Sequence, residues 1–393
     1  MIQQPLRVSS CLVVLATILL SLFYVSRNAL LSLANRNSSV SALLGEVNSQ
    51  QDFSFAVEHR DFKFPKDHSP HDDFRSEWWY FTGNLRGADE QEYGFDLTIF
   101  RFAIAPKAKT PELIDKASPF RSSQIYLAHF AIADVTGAKY LSAEKFSRAL
   151  PGLTGASNPP LRLQVDNWSI EQSDPENEHW VLKASTTNFG MDLRLKAKRP
   201  VVLQGERGLS KKSTEPGNAS YYYSIPKLHA EGEISIGQKA IPVTGDAWFD
   251  REWSTSALEQ GQIGWDWFGL HIADDVELMY YQIRQANGKT AKESHGVLIL
   301  ENGQRRIDLG QNVKLVPLEY WTSSNTNARY PVKWRISIPS EELNIVVTAK
   351  FNDQQWAGSF VYWEGAVDTV GHYQQREILG QGFLEMTGYD RRQ

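Results

Sequence analysis

Only one cysteine occurs in the 393 residues, and it is Cys11, inside an apolar N-terminal stretch. The body of the chain therefore has no internal disulfide, no thiolate nucleophile and no thiolate metal site. Long apolar runs are equally scarce: none follows the first 40 residues, which excludes a polytopic helical membrane protein. Basic charge is in deficit as well. The first 36 residues hold three arginines and no acid, leaving 38 basic against 46 acidic residues in the remainder, a net charge of −8. A nucleic-acid partner requires a basic face and is not expected. Several catalytic signatures are missing too. There is no Gly-x-Ser-x-Gly and no His-Glu-x-x-His. Gly288-Lys289-Thr290 lacks the leading glycine of a phosphate loop, because position 283 is Ile283, and reads as a hairpin turn. Gly380-Gln-Gly382 reaches Glu385 where a dinucleotide fingerprint needs its third glycine.

What is present begins with Leu12–Val25, an uninterrupted and mostly apolar stretch behind Arg7, the layout of a secretory signal or an uncleaved signal anchor. Its length falls short of the roughly 20 residues of a comfortable span, which favours a signal peptide. Arg27 directly behind the run favours an anchor, and Ser32-Leu33-Ala34 is the nearest candidate cleavage site. Residues 1–36 are thus a signal peptide or a signal anchor. Both place the body in an exported, periplasmic location, held at the inner membrane in the anchored form. Residues 37–52, rich in Asn and Ser, read as a linker.

From Phe53 onward the pattern is short stretches of period-two alternation between Gly, Pro, Asn and Asp clusters, the mark of many antiparallel strands. With 12 Trp, 15 Tyr and 19 Phe, many of these strands are bulky on both faces. In Glu77–Thr82, one face carries Trp78, Tyr80 and Thr82 and the other Glu77, Trp79 and Phe81. Helical periodicity is weak, and Leu141–Leu150 with Ser142 as cap is the one short helix expected. So many strands avoid exposed edges by closing into barrels or sandwiches. The expectation is an all-β chain in two halves, 53–255 and 256–393.

The densest unusual segment is Gly245–Ser254, in which Asp246, Asp250 and Glu252 share a strand face with Trp248. On an aromatic wall, burial disfavours ionisation and raises a carboxyl pKa, which is how a general acid is made. The competing reading is a salt-bridged strand end in which Arg251 pairs with the acids. Trp265-Asp266-Trp267 offers the same chemistry and the same alternative. His129, within the strand Tyr126–Ile132, either points into a pocket or is a structural histidine. His68-Ser-Pro-His71-Asp72-Asp73 gathers imidazoles and carboxylates, but Pro70 splits them, so it reads as a polar loop and not as a metal site.

Ser76–Gly83, Gly245–Trp253, Gly264–His271, Tyr362–Ala366 and Gly382–Tyr389 together resemble the AttH-like family, which is related to carotenoid 1,2-hydratases, over about residues 55–390. The resemblance implies two tandem lipocalin-like (calycin) antiparallel β-barrels, export in the bacterial branch, and an internal cavity for an apolar ligand. Some relatives hydrate an isolated double bond of a carotenoid or a prenylated phenolic, related fungal proteins shape pericyclic cyclisations, and many bacterial members are associated with transporter components. The motif context resembles the exported AttH-like branch more than the carotenoid enzymes.

Two functions follow from these readings. One is a cofactor-free hydratase or isomerase, a hydro-lyase acting on a hydrophobic isoprenoid or lipid-like alkene, with Asp250 as the proton donor. Asp250, Glu252 and His129 are then the candidate catalytic residues. Glu77, Trp78, Tyr80, Trp248, Trp253, Trp265 and Asp266 are the candidate ligand-binding residues, with His129 or Glu77 orienting water. The other is a non-catalytic carrier of an apolar molecule, with membrane-anchored components of an ABC-type exporter as partners. A third arrangement, in which the tryptophans fill a solid core and leave no cavity, supports neither.

Overall fold

A strand that is bulky on both faces must be covered on both, and the computed structural model shows what covers each. It describes residues 52–88, 90–106, 122–256, 258–301, 303–308 and 313–390. The apolar leader and nearly all of the expected linker lie outside the described residues. Among those described, no helix is long and apolar enough to cross a membrane.

The first sheet contains β1 (Ser76–Gly87), β2 (Glu92–Ala103), β3 (Gln124–Asp134), β4 (Lys139–Arg148), β5 (Thr154–Ala156), β6 (Arg162–Val165), β7 (Trp168–Asp174), β8 (His179–Ser185), β9 (Phe189–Ala197), β10 (Val202–Leu203), β11 (Leu209–Lys211), β12 (Ala219–Ile236) and β13 (Lys239–Ser254). Its order is β4-β3-β2-β1-β13-β12-β9-β8-β7-β6-β5, with β10 and β11 on the side of β12. It curls into a nearly closed barrel. The second sheet contains β14 (Gln262–Ala273), β15 (Val276–Gln285), β16 (His295–Leu300), β17 (Gly303–Asp308), β18 (Lys314–Thr322), β19 (Arg329–Ile338), β20 (Leu343–Ala349), β21 (Gln355–Ala357), β22 (Val361–Tyr373) and β23 (Arg376–Thr387). It runs β17-β16-β15-β14-β23-β22-β20-β19-β18, with β21 beside β22, and forms a half-barrel. The described chain is thus all-β, two lipocalin-like antiparallel sheets that divide between Ser254 and Gln262.

Leu141–Leu150 is not a helix. Residues 139–148 pair along their whole length with β3, and Leu141 and Ala143 pack on the first core. The free edge of β3 offers a full ladder of backbone partners, which outweighs a weak helical propensity. The expected turn at Asn287–Lys289 is present, with Gln285 N–H bonded to the Lys289 carbonyl and Gly288 at φ 78°.

Each barrel interior is solid. Trp79, Phe81, Trp168, Trp180, Phe249 and Trp253 fill the first, where the Phe81 and Phe249 rings stack at 4.2 Å. Phe268, Leu270, Tyr330, Trp334 and Trp363 fill the second. Burying one such ring contributes roughly 2–3 kcal/mol, so the filled interiors are where the fold gains most of its hydrophobic stability. At one end of the first barrel sits a buried ionic knot. Glu77, Arg101 and Arg251 are all fully buried, and Glu77 accepts hydrogen bonds from both arginines. Arg251 lies over the Trp79 ring at 3.9 Å, and His71 stacks on Trp253 at 3.8 Å. Burial alone would push the Glu77 carboxyl up, but Arg101 and Arg251 hold it well below the usual carboxylate range.

The two sheets meet through their outer faces. They pack tightly at Gly94, where an added Cβ would stand 3.0 Å from the Ala366 side chain and 3.2 Å from the Phe383 ring. Glycine there lets backbone approach side chain directly.

Candidate functional site

Antiparallel register sets directly opposed residues side by side on one face. Across the first sheet this gives a row His129, Thr98, Tyr80, Asp250 and Ser224 on β3, β2, β1, β13 and β12. Across the second it gives Tyr281, Trp267, Glu385 and Glu364 on β15, β14, β23 and β22. The rows face each other across a cavity enclosing about 130 Å³ of space that the centre of a water molecule can reach. Trp78, Phe100, Trp265, Tyr362 and Phe360 complete an aromatic wall, and Trp78 and Trp265 are only half-buried. The hollow therefore lies between the barrels and not within either.

Asp250 is buried at the centre of the first wall. Oδ1 accepts from Ser224 and from the Trp248 indole N–H at 2.7 Å, and Oδ2 accepts from the Tyr222 hydroxyl at 2.5 Å. Burial is the largest influence on its carboxyl; these three donors oppose it, the neighbouring Glu252 adds to it, and the pKa is pushed up to about 7. Glu252, the next residue on the same face, is an ion-paired carboxylate, with Lys212 Nζ at 2.9 Å and the Ser220 hydroxyl also bonded to it. The Lys212 ammonium lies 4.8 Å from the Tyr281 ring centroid. Burial would lower its pKa, but Glu252 raises it further, so it stays charged.

The second wall carries carboxyls of a different kind. Glu385 accepts one hydrogen bond, from Trp265 Nε1–H at 3.0 Å, and burial, reinforced by the charges of Asp250 and Glu252, pushes its pKa up to about 8. Glu364 bonds to the Tyr80 hydroxyl and is pushed well above the usual range by burial, by Asp96 and by Glu385. Asp96, on β2, is also raised, chiefly by burial.

His129 is held at both ring nitrogens, with Nε2 3.2 Å from Glu144 and Nδ1 2.8 Å from the Tyr362 hydroxyl. Burial lowers its pKa more than Glu144 raises it, so the ring is neutral near pH 7. A carboxylate only accepts, so Nε2–H donates to Glu144 and Nδ1 accepts from Tyr362. Glu144 in turn receives the Ser359 amide at 3.0 Å. His129 therefore joins the two walls at one rim of the cavity.

Of the residues expected from the sequence, Asp250, Glu252, His129, Trp78, Tyr80 and Trp265 meet at the cavity, and Trp248 stands directly behind Asp250. Three do not. Glu77 and Trp253 lie on the opposite face of their strands, in the ionic knot and the first core, because side chains alternate along a strand. Asp266 points into the second half-barrel, where Gln282 Nε2 at 2.7 Å, the Tyr389 hydroxyl at 3.0 Å and the Arg284 guanidinium at 3.2 Å hold it. Arg251 pairs with Glu77 on that far face and leaves the cavity acids alone. Sequence reasoning did not select Asp96, Lys212, Tyr222, Trp267, Glu364 or Glu385 as site residues. Glu364 and Glu385 carry the signal that was available: each follows a large core residue, Trp363 or Leu384, and so faces outward from the half-barrel.

No cluster of three or more His, Cys, Asp or Glu side chains suited to a metal ion occurs among the described residues. The imidazole of His68 is bonded to the Tyr223 hydroxyl at 2.6 Å and to Glu178 at 2.9 Å.

A model of the AttH-like family matches residues 56–389. The solved structure of an AttH protein of Nitrosomonas europaea is similar at a TM-score of 0.75 and 32% identity, covering 86% of this chain and 100% of the other. The dehydratase asqC of Emericella nidulans is 24% identical over 52% of this chain, which spans 60% of that enzyme's length. The kievitone hydratase of Fusarium solani subsp. phaseoli is 22% identical over 60% of this chain and 67% of its own.

Proposed function

Because the chain belongs to the AttH-like family, with a hydratase and a dehydratase among its relatives, we propose that the inter-sheet cavity adds water to, or removes it from, a hydrophobic small molecule. The observation that carries this reading is the set of buried carboxyls with raised pKa in an aromatic chamber. Hydration of an isolated alkene requires a protonated group to supply a proton to carbon, a wall that shelters the resulting carbocation, and a positioned water. The faces of Trp78, Trp265, Phe100 and Tyr80 supply the wall, since aromatic quadrupoles attract a cation without attacking it. Asp250, near the midpoint of its titration at neutral pH, exchanges a proton readily in either direction. Dehydration of the tertiary alcohol is the same path in reverse. The apolar stretch behind Arg7 supports placing this chemistry outside the cytoplasm, which cell fractionation checks.

The test is to incubate the purified protein in ¹⁸O-labelled water with kievitone and with a panel of lipophilic trisubstituted alkenes and their tertiary alcohols, following products by mass. The expected result is gain of one labelled water, or loss of water from an alcohol, and a fall of about 10²–10⁴-fold in Asp250→Asn. Retention of a guest with no turnover favours the carrier reading. Turnover unchanged in Asp250→Asn removes that residue from the chemistry.

A further inference from the structure

We infer that the proton ready for transfer sits on the Glu364–Glu385 pair of the second sheet, and that Asp250 on the first sheet is the acceptor. This assignment rests on the hydration reading above and reverses the role that the sequence suggests for Asp250. It follows from counting donors. Asp250 receives three hydrogen bonds, and the direction of each is fixed from behind. Gln204 Nε2–H donates to Ser224 Oγ at 2.8 Å, so the single Ser224 hydroxyl hydrogen is left for Asp250. Trp267 Nε1–H donates to the Tyr222 oxygen at 3.1 Å, so the Tyr222 hydrogen also points at Asp250. The Trp248 indole can only donate. The three donors favour the carboxylate form against the burial that opposes it, and leave a proton on Asp250 a single lone-pair position.

The second wall is built the other way. Glu385 accepts from Trp265 alone and Glu364 from Tyr80 alone. Neither forms a salt bridge among the described residues. They stand directly opposite each other on β22 and β23, where side chains begin about 5 Å apart. Two carboxylates at that spacing in a buried wall do not both ionise. Asp96 adds to the pressure: it accepts from Thr98 at 2.7 Å, and its other oxygen is buried with no partner. The charged and titratable groups facing the pair are Asp96, Tyr80, Tyr140 and Asp250 from the first sheet, with Glu252 neutralised by Lys212, and Tyr362 from its own sheet.

With a guest between the walls, the Glu385 O–H bond breaks and its proton joins the less substituted alkene carbon, the π electron pair forming the new C–H bond. The more substituted carbon, now cationic, takes a lone pair from water. That water releases its proton to the Asp250 carboxylate. The sum is one alkene plus one water giving one alcohol, with Asp250 protonated and Glu385 ionised; exchange with solvent returns both to their starting states.

Infrared spectroscopy of the full chain in heavy water reads the proton's location without any substrate. At about pH 7 a buried protonated carboxyl gives a C=O stretch distinct from carboxylate bands, and each variant is compared under the same conditions. Glu364→Gln and Glu385→Gln replace a neutral acid by a neutral amide of the same shape and are expected to fold, to weaken that band, and to move the titration of the remaining partner to lower pH. In Asp250→Asn the band is expected to weaken less than in either glutamine variant, since at this pH only part of the Asp250 population holds a proton. A band that persists undiminished in both glutamine variants, or disappears only in Asp250→Asn, overturns the assignment. Where a substrate turns over, Glu385→Gln should remove the basic limb of the kcat/KM profile and Asp250→Asn the acidic limb; the opposite pattern also overturns it. The expected bands with no turnover of any alkene or alcohol would instead refute the hydratase reading and leave the proton's location established.

Discussion

Replacing Asp250 by asparagine should change stability with opposite sign at low and high pH. The carboxyl titrates at 3.8 in its ordinary state and at about 7 in the folded protein, a difference that corresponds to about 4 kcal/mol. Because the folded pKa is the higher one, folding holds a proton that the unfolded chain gives up. Stability from this group is therefore complete below about pH 4, declines as the pH rises, and is gone above about pH 7. The substituted side chain would carry no titration, but its amide nitrogen cannot accept from the donors that Ser224, Tyr222 and Trp248 present, a loss of about 1–3 kcal/mol. The variant should thus be less stable than the parent by that amount at about pH 4, equal to it in the intermediate range, and more stable by about 1–3 kcal/mol at about pH 8. Urea unfolding at several pH values, followed by tryptophan fluorescence, measures the difference directly. A difference that stays constant across this window would refute the claim that burial holds Asp250 away from its ordinary titration.

Glu77→Gln should cost about 3–5 kcal/mol, since it leaves Arg101 and Arg251 buried without their counter-charge, while turnover per folded molecule is unchanged; urea melts and activity normalised to folded protein separate the two. Phe249→Ala, which empties the first core, should also cost about 3–5 kcal/mol. Trp78→Ala, on the cavity side of the neighbouring strand, should cost distinctly less and instead weaken retention of apolar fluorescent probes, as paired unfolding and probe titrations of the two variants would show.

The strands, the all-β class and six residues of the cavity wall (Trp78, Tyr80, His129, Asp250, Glu252 and Trp265) were legible because period-two alternation survives in single sequences. What alternation does not give is the direction of each face. Glu77 and Trp78 are neighbours with equal claims on a pocket, and only the partner strands determine that Trp78 meets the guest while Glu77 meets Arg101 and Arg251. The same ambiguity misplaced Trp253 and Asp266. Glu364 and Glu385 were hidden for another reason: they lie far from Asp250 in sequence, and their importance arises only when β22 pairs with β23 and the two sheets stack face to face. The segment at Leu141 misled because its composition suits a helix nearly as well as a strand, and the free edge of β3 decides between them.

The placement of the hollow outside both barrels divides the strand Lys239–Ser254 into two inheritances. Phe249, Arg251 and Trp253 are bound to the first barrel and its ionic knot, whereas Asp250, Glu252 and Ser254 line the cavity, with Trp248 packed behind them between the sheets. Mutational drift at every second codon can therefore reshape the cavity while the barrel core stays in place. Deleting a single residue from that strand would trade the two sets and forfeit both at once.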